Sequence, residues 1–199
     1  MKALFIEAKR KLDSNLDNID LNTLPNKIFL AYSIQYKALA EKLKNRLGKK
    51  VAGFKQVLGC SQLKSKHPIL LIGSGKFHAF NLALQGNTVY IFEGNKINKL
   101  SEKEVKKLRG KRKAALIKFL SADNIGILVS TKPGQENLKK SLILKKKLEK
   151  QDKNAHIFIT DNINIEELEN YNIQSWVNTA CPALSFDSRI IHLHEVEKH

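Results

Sequence analysis

Short aliphatic runs alternate along this chain with longer segments of helical spacing, and that alternation restricts the fold to parallel βα units. Ile28-Phe29-Leu30-Ala31-Tyr32 is an apolar run bounded by Pro25-Asn26. Residues 34–47 carry Leu39, Leu43 and Leu47 at helical spacing and stop at Gly48. Residues 68–73 read as a buried strand broken at Gly73-Ser74-Gly75, residues 77–84 begin a helix, and residues 88–92 return as a strand. A second half opens with a basic helix over about 101–122, where Ser101 and Glu104 fit a capping box. A strand at 126–130, an amphipathic stretch at 135–150, a strand at 155–159, a helical turn at 166–168 and a strand at 173–177 follow. The expected architecture is α/β, with two small three-layer parallel-sheet domains at 25–108 and 109–199. Residues 1–24 are expected to form a leading helix and connector.

A chain of 199 residues can bury a proper core. It contains no run approaching the roughly 20 apolar residues of a membrane helix. Glu7, Lys9, Arg10 and Lys11 interrupt any signal-peptide core, so the expectation is a cytoplasmic protein without membrane contact. The net charge of +16 invites a nucleic-acid reading. However, the arginines that favour bidentate phosphate and base contacts are only Arg10, Arg46, Arg109, Arg112 and Arg189. Scattered lysines read mainly as solvated helix faces, and no specific nucleic-acid partner is expected. A lysine-rich RNA-binding module is the alternative from a different class, without an RRM, KH or zinc signature to carry it.

Both cysteines sit in short motifs, Leu58-Gly59-Cys60-Ser61 and Ala180-Cys181-Pro182, each following an apolar segment that reads as a strand. Each thiol is therefore expected where a strand gives way to a loop, at the sheet edge where α/β proteins bind ligands. Taken singly, either is as well read as a core thiol. His192 and His194 alternate on what reads as a terminal strand, and a zinc site with Cys181 lacks the close Cys-x-x-Cys pair. Trp176 reads as core.

Five motifs recur in one register: Ser33-Ile34-Gln35-Tyr36, Val57-Leu58-Gly59-Cys60, Gly73-Ser74-Gly75-Lys76-Phe77-His78, Val129-Ser130-Thr131-Lys132-Pro133-Gly134-Gln135, and Trp176-Val177-Asn178-Thr179-Ala180-Cys181-Pro182. In this order the chain resembles the diphthamide-synthesis family of 2-(3-amino-3-carboxypropyl)histidine synthases. The resemblance implies two of that family's three α/β domains, the second and third. Each domain of the family gives one cysteine to a central [4Fe-4S] cluster, so Cys60 and Cys181 are the implied metal ligands. The third cysteine is expected from another chain that supplies the missing N-terminal domain, or from a paralogous subunit.

The resemblance further implies radical cleavage of S-adenosylmethionine, with transfer of a 3-amino-3-carboxypropyl group to a histidine of translation elongation factor 2. An electron donor is implied with it. Gly75 and His78, at a glycine loop opening a helix, and Gln135, expected at a helix start, are the candidates for binding the substrate. Ser74 and Ala183 stand where the family usually carries an acidic residue and an arginine. These departures keep open a non-catalytic accessory or a degenerate paralogue.

Overall fold

A computed structural model describes residues 19–185 and 189–197. The expected leading helix falls largely on residues 1–18, outside the described residues, as does His199. Two compact units divide between Lys106 and Lys107.

The first unit is a five-stranded sheet in the order β2-β1-β3-β4-β5, formed by β1 Ile28–Tyr32, β2 Val51–Gln56, β3 Ile69–Ile72, β4 Val89–Glu93 and β5 Lys96–Lys99. The first four strands are parallel. Helix α1 (Lys37–Leu47) presents Leu39, Ala40, Leu43 and Leu47 to a core containing Ile28, Leu30, Leu70, Ile72 and Phe92. Those strand residues are alternate positions on one face of the pleat, so α1 covers that face. All four residues of β3 are buried, as its uninterrupted aliphatic run requires of a central parallel strand. Helix α2 (Lys76–Leu84) links β3 to β4. Strand β5 is antiparallel to β4, an exception to the expected all-parallel sheet. The cause is local: Gly94 and Asn95 both take positive φ (56° and 63°), which makes a tight hairpin after β4.

The second unit is a four-stranded parallel sheet in the order β7-β6-β8-β9, with β6 Asn124–Ser130, β7 Asn154–Thr160, β8 Ser175–Asn178 and β9 Ile191–His192. One face packs Ile125, Ile127, Ala155 and Val177 against Leu144 and Leu148 of α4 (Leu138–Glu149) and Phe119 of α3 (Glu102–Ser121). The other face holds Leu128 and Trp176 under Ile163, Leu168 and Ile173, a segment with only a five-residue 3-10 turn. Trp176 is thus buried in the core, as read from the sequence. The capping hydrogen bond from the Glu104 amide to Ser101 Oγ forms at 3.4 Å, while the Glu104 carboxylate pairs with Lys76 at 3.1 Å.

His194 does not continue a terminal strand. Strand β9 ends at His192, and His194 lies in the short helix α5 (Leu193–Val196), which His192 caps by accepting the His194 amide hydrogen on Nδ1 at 3.2 Å. No helix among the described residues is long and apolar enough to cross a membrane.

Candidate functional site

In each sheet the C-terminal ends of the parallel strands share one edge, and the loops there carry the motifs picked out in the sequence. The order of strands reverses between β1 and β3 in the first sheet and between β6 and β8 in the second. Such switch points leave a crevice where ligands of open α/β sheets bind.

Cys60 lies in the loop that leaves β2. Its turn is closed in both directions: the Ser61 amide donates to Leu58 O at 3.0 Å, and the Leu58 amide donates to Ser61 Oγ at 2.7 Å. Gly59 and Cys60 therefore occupy the tip, and the Cys60 thiol is exposed and unpaired. Side-chain amides of α2 and the residues just after it hold the rest of the loop. Asn81 and Gln85 donate to Ser61 O at 3.3 and 3.0 Å, and Gln85 Oε1 accepts from the Leu63 amide at 2.8 Å. Asn87 donates to Leu63 O at 2.7 Å and accepts from the Ser65 amide at 3.0 Å. Gly59 faces the Phe77 ring so closely that a Cβ there would lie 2.2 Å from Phe77 Cε1. The Cys60 turn thus rests on the first turn of α2, beside Gly75 and His78.

Gly75 is the N-cap of α2, with φ 82°, a conformation that favours glycine. His78 is the third residue of the helix and stacks edge-on against Phe77, with centroids 5.6 Å apart. Its burial pushes the imidazole below the usual histidine range, so it is neutral at neutral pH. The structure therefore brings three of the predicted residues, Cys60, Gly75 and His78, to one corner of the first unit.

Cys181 lies in the loop leaving β8, half-buried and unpaired. Asn178 clamps this loop, accepting from the Ala180 amide and donating to Cys181 O, both at 2.8 Å. Asn137 donates to Thr179 O at 2.7 Å, tying the Cys181 loop to the segment between β6 and α4. Gln135 is on that segment, at 3.4 Å from the same Asn137 amide through its carbonyl.

The expectation that Gln135 begins a helix is corrected: α4 starts at Leu138. Pro133-Gly134 makes a turn, with Gly134 at φ 78° and the Gln135 amide donating to Lys132 O at 3.0 Å. The Glu136 carboxylate then accepts from the Leu138 amide at 2.8 Å, so the chain becomes helical only after it. Gln135 sits on the same edge as Cys181, in a loop.

A charged group that the sequence reading passed over also reaches this loop. Arg112 is 9% exposed on α3, and its guanidinium donates to Ser185 O and to Ile190 O, the latter at 2.8 Å. It also forms a two-pronged pair with Glu195, at 2.9 and 2.6 Å. Its signal was available: an arginine in a lysine-rich helix, on the stripe Leu108, Arg112, Ala115, Phe119 that α3 buries.

The donor set can be tested against an iron–sulfur cluster. Among the described residues no group of three or more His, Cys, Asp or Glu is arranged to hold a metal ion. What each unit offers is a single unpaired thiol on a fixed loop. Soft thiolates suit iron–sulfur clusters, and among the described residues neither thiol joins two further His, Cys, Asp or Glu ligands into a self-contained zinc or hard-cation site. The residues fit such a cluster as part of its ligand set.

Comparison with known proteins gives a consistent picture. The family profile of diphthamide synthesis proteins matches residues 1–190. A 2-(3-amino-3-carboxypropyl)histidine synthase of Methanocaldococcus jannaschii is 28% identical over 96% of this chain, and the match spans 58% of that relative. The synthase of Pyrococcus horikoshii is 30% identical over 66% of the chain and 40% of its own length. The crystal structure of Dph2 from Pyrococcus horikoshii superposes with a TM-score of 0.77 at 24% identity, covering 89% of this chain and 58% of that one. The same protein with a 4Fe-4S cluster superposes with a TM-score of 0.75 at 25% identity. The chain thus spans less than two thirds of these relatives.

Proposed function

The chain belongs to the diphthamide synthesis protein family, and on that premise we propose that it serves the first step of diphthamide synthesis. In this reading it holds part of a [4Fe-4S] cluster where S-adenosylmethionine is cleaved. The 3-amino-3-carboxypropyl group then passes to a histidine of translation elongation factor 2. The supporting observation is a pair of loops, one in each unit. Each unit carries one unpaired thiol at the C-terminal edge of a parallel sheet, on backbone that side-chain hydrogen bonds fix.

When bound, the cluster supplies an electron and an open iron position for the substrate. Cys60 and Cys181 would hold it as thiolates, with a third thiolate from outside this sequence, which the split-enzyme reading assigns to a separate chain. With no side chain at Gly59, the turn seats directly on the Phe77 ring, which supports the Cys60 thiol at the loop tip. The N-terminal amides of α2, behind the Gly75 cap, are suited to a substrate carboxylate. Neutral His78 and Gln135 offer hydrogen bonds without adding charge. An electron donor and a cytoplasmic setting complete the proposal.

The test is anaerobic co-expression with the partner chain, followed by incubation with S-adenosylmethionine, a reductant and elongation factor 2. Mass spectrometry of the target histidine reads the product. Modification that Cys60→Ser or Cys181→Ser abolishes supports the proposal. Ser74 and Ala183, where the family usually carries an acidic residue and an arginine, support a second reading, a non-catalytic partner of the active chain. That reading predicts full modification with Cys60→Ala and Cys181→Ala combined.

A further inference from the structure

We propose that His192, as the neutral tautomer protonated on Nε2, is a positioning residue that sets the Cys181 loop for metal ligation. The inference rests on the reading of Cys181 as a ligand. Both ring nitrogens are engaged. Nε2 lies 3.2 Å from Ala180 O, the carbonyl joined to the Cys181 amide. Nδ1 accepts from the His194 amide at 3.2 Å. A carbonyl only accepts and an amide N–H only donates, so this pair of partners admits one neutral tautomer, with hydrogen on Nε2.

The ring is in turn fixed from behind. The His192 amide donates to Glu195 Oε2 at 3.0 Å, and Glu195 is gripped by Arg112. Arg112 also donates to Ser185 O, further along the same connection. A connected run of hydrogen bonds therefore reaches the Cys181 loop on both sides of the thiol: Ala180 through His192, and Ser185 through Arg112. His192 itself is 8% exposed, and with both ring nitrogens engaged it offers no free lone pair as a second ligand. Asn178 supplies a further clamp from the strand side. The arrangement gives a half-buried thiol one presentation, which a ligand shared among separate elements requires.

The discriminating variants split the two jobs of the ring. Asn at 192 keeps a short acceptor near Nδ1 and is a good N-cap, but its side chain ends before Ala180 O. Gln restores an amide donor at the reach of Nε2. Alkylation of the two thiols by iodoacetamide is followed by mass spectrometry in the full chain, with Cys60 as the internal standard. His192→Asn is expected to raise the Cys181 rate about five-fold, the effect of losing one ordinary hydrogen bond. His192→Gln is expected to return it toward the starting rate, and Cys60 is expected to react equally in all three. An unchanged Cys181 rate in His192→Asn overturns the proposal.

The second readout uses the unaltered chain and so decides even where a variant fails to fold. Nitrogen-15 NMR of the His192 ring is expected to show a protonated Nε2 and a bare Nδ1; hydrogen on Nδ1 overturns the proposal. Neither readout needs a cluster, so failure here is distinguishable from failure of the functional reading.

Discussion

Gly59→Ala gives the sharpest prediction of how the Cys60 loop is built. The new Cβ would lie 2.2 Å from Phe77 Cε1 and 3.1 and 3.2 Å from two more ring atoms. Ordinary carbon contacts begin near 3.5 Å, so ring and loop must separate by more than an ångström. Neither moves freely: Phe77 sits in the first turn of α2, and the loop is held by Asn81, Gln85 and Asn87. Overpacking of this kind costs about 1–3 kcal/mol.

Gly59 does not have positive φ, so alanine adds no backbone strain of its own. In a Phe77→Ala background the clash is gone, and Gly59→Ala should become neutral or stabilise by about 0.4–1 kcal/mol through the unfolded chain. The prediction is therefore a change of sign across a double-mutant cycle, read by urea unfolding with circular dichroism. A Gly59→Ala penalty that persists unchanged without the Phe77 ring refutes the reasoning, as does a single variant as stable as the parent.

Two further outcomes follow from the Cys181 side. Arg112→Met takes the guanidinium from two carbonyls and from Glu195, which keeps the His192 amide, and the expected loss is about 3 kcal/mol, at the lower end for breaking a buried pair because Glu195 is partly exposed; denaturant unfolding measures it, and a loss below about 1 kcal/mol would contradict the burial argument. For pH, burial foremost, helped by the nearby His194 and Arg112, holds His192 below the ordinary histidine value of 6.5 despite its bond to Ala180. The folded protein then binds this proton less readily than the unfolded chain, so the stability is present above about pH 6.5 and is lost as pH falls toward the lowered value. Urea midpoints from pH 7.5 to 5.5 should fall, and less steeply in His192→Asn; equal slopes in the two proteins would contradict it.

The strands that sequence reading located are those whose signal is burial itself. In β3 every residue is aliphatic and buried, and Leu39, Leu43 and Leu47 of α1 face the core at the spacing that announced them. Strand β5 escaped notice because Lys-Ile-Asn-Lys has no apolar alternation; only the Gly94-Asn95 pair marked its hairpin. The start of α4 was misplaced because Pro133-Gly134 resembles a helix entry, whereas Glu136 and Asn137 build it.

At the candidate site the thiol motifs were visible, but the groups fixing them were not. Gln85 and Asn87 belong to none of the motifs, and their partners lie more than twenty positions away. Arg112 and Glu195 are 83 residues apart. The topology also separates what the sequence made parallel. Cys60 follows β2, an edge strand, whereas Cys181 follows β8, inside its sheet next to the switch point. The two thiols are thus not counterparts in the two similar sheets, a distinction that needs strand order and not merely strand location.

The proposed function assigns Cys60 and Cys181 to one iron–sulfur cluster. Its most direct measurement is anaerobic reconstitution of the chain with iron and sulfide, a small thiol completing the ligand set, followed by iron analysis and electron paramagnetic resonance after reduction. A [4Fe-4S] signal is expected in the parent chain, and either Cys60→Ser or Cys181→Ser alone is expected to remove it. Equal iron and an unaltered signal in both single variants would contradict it.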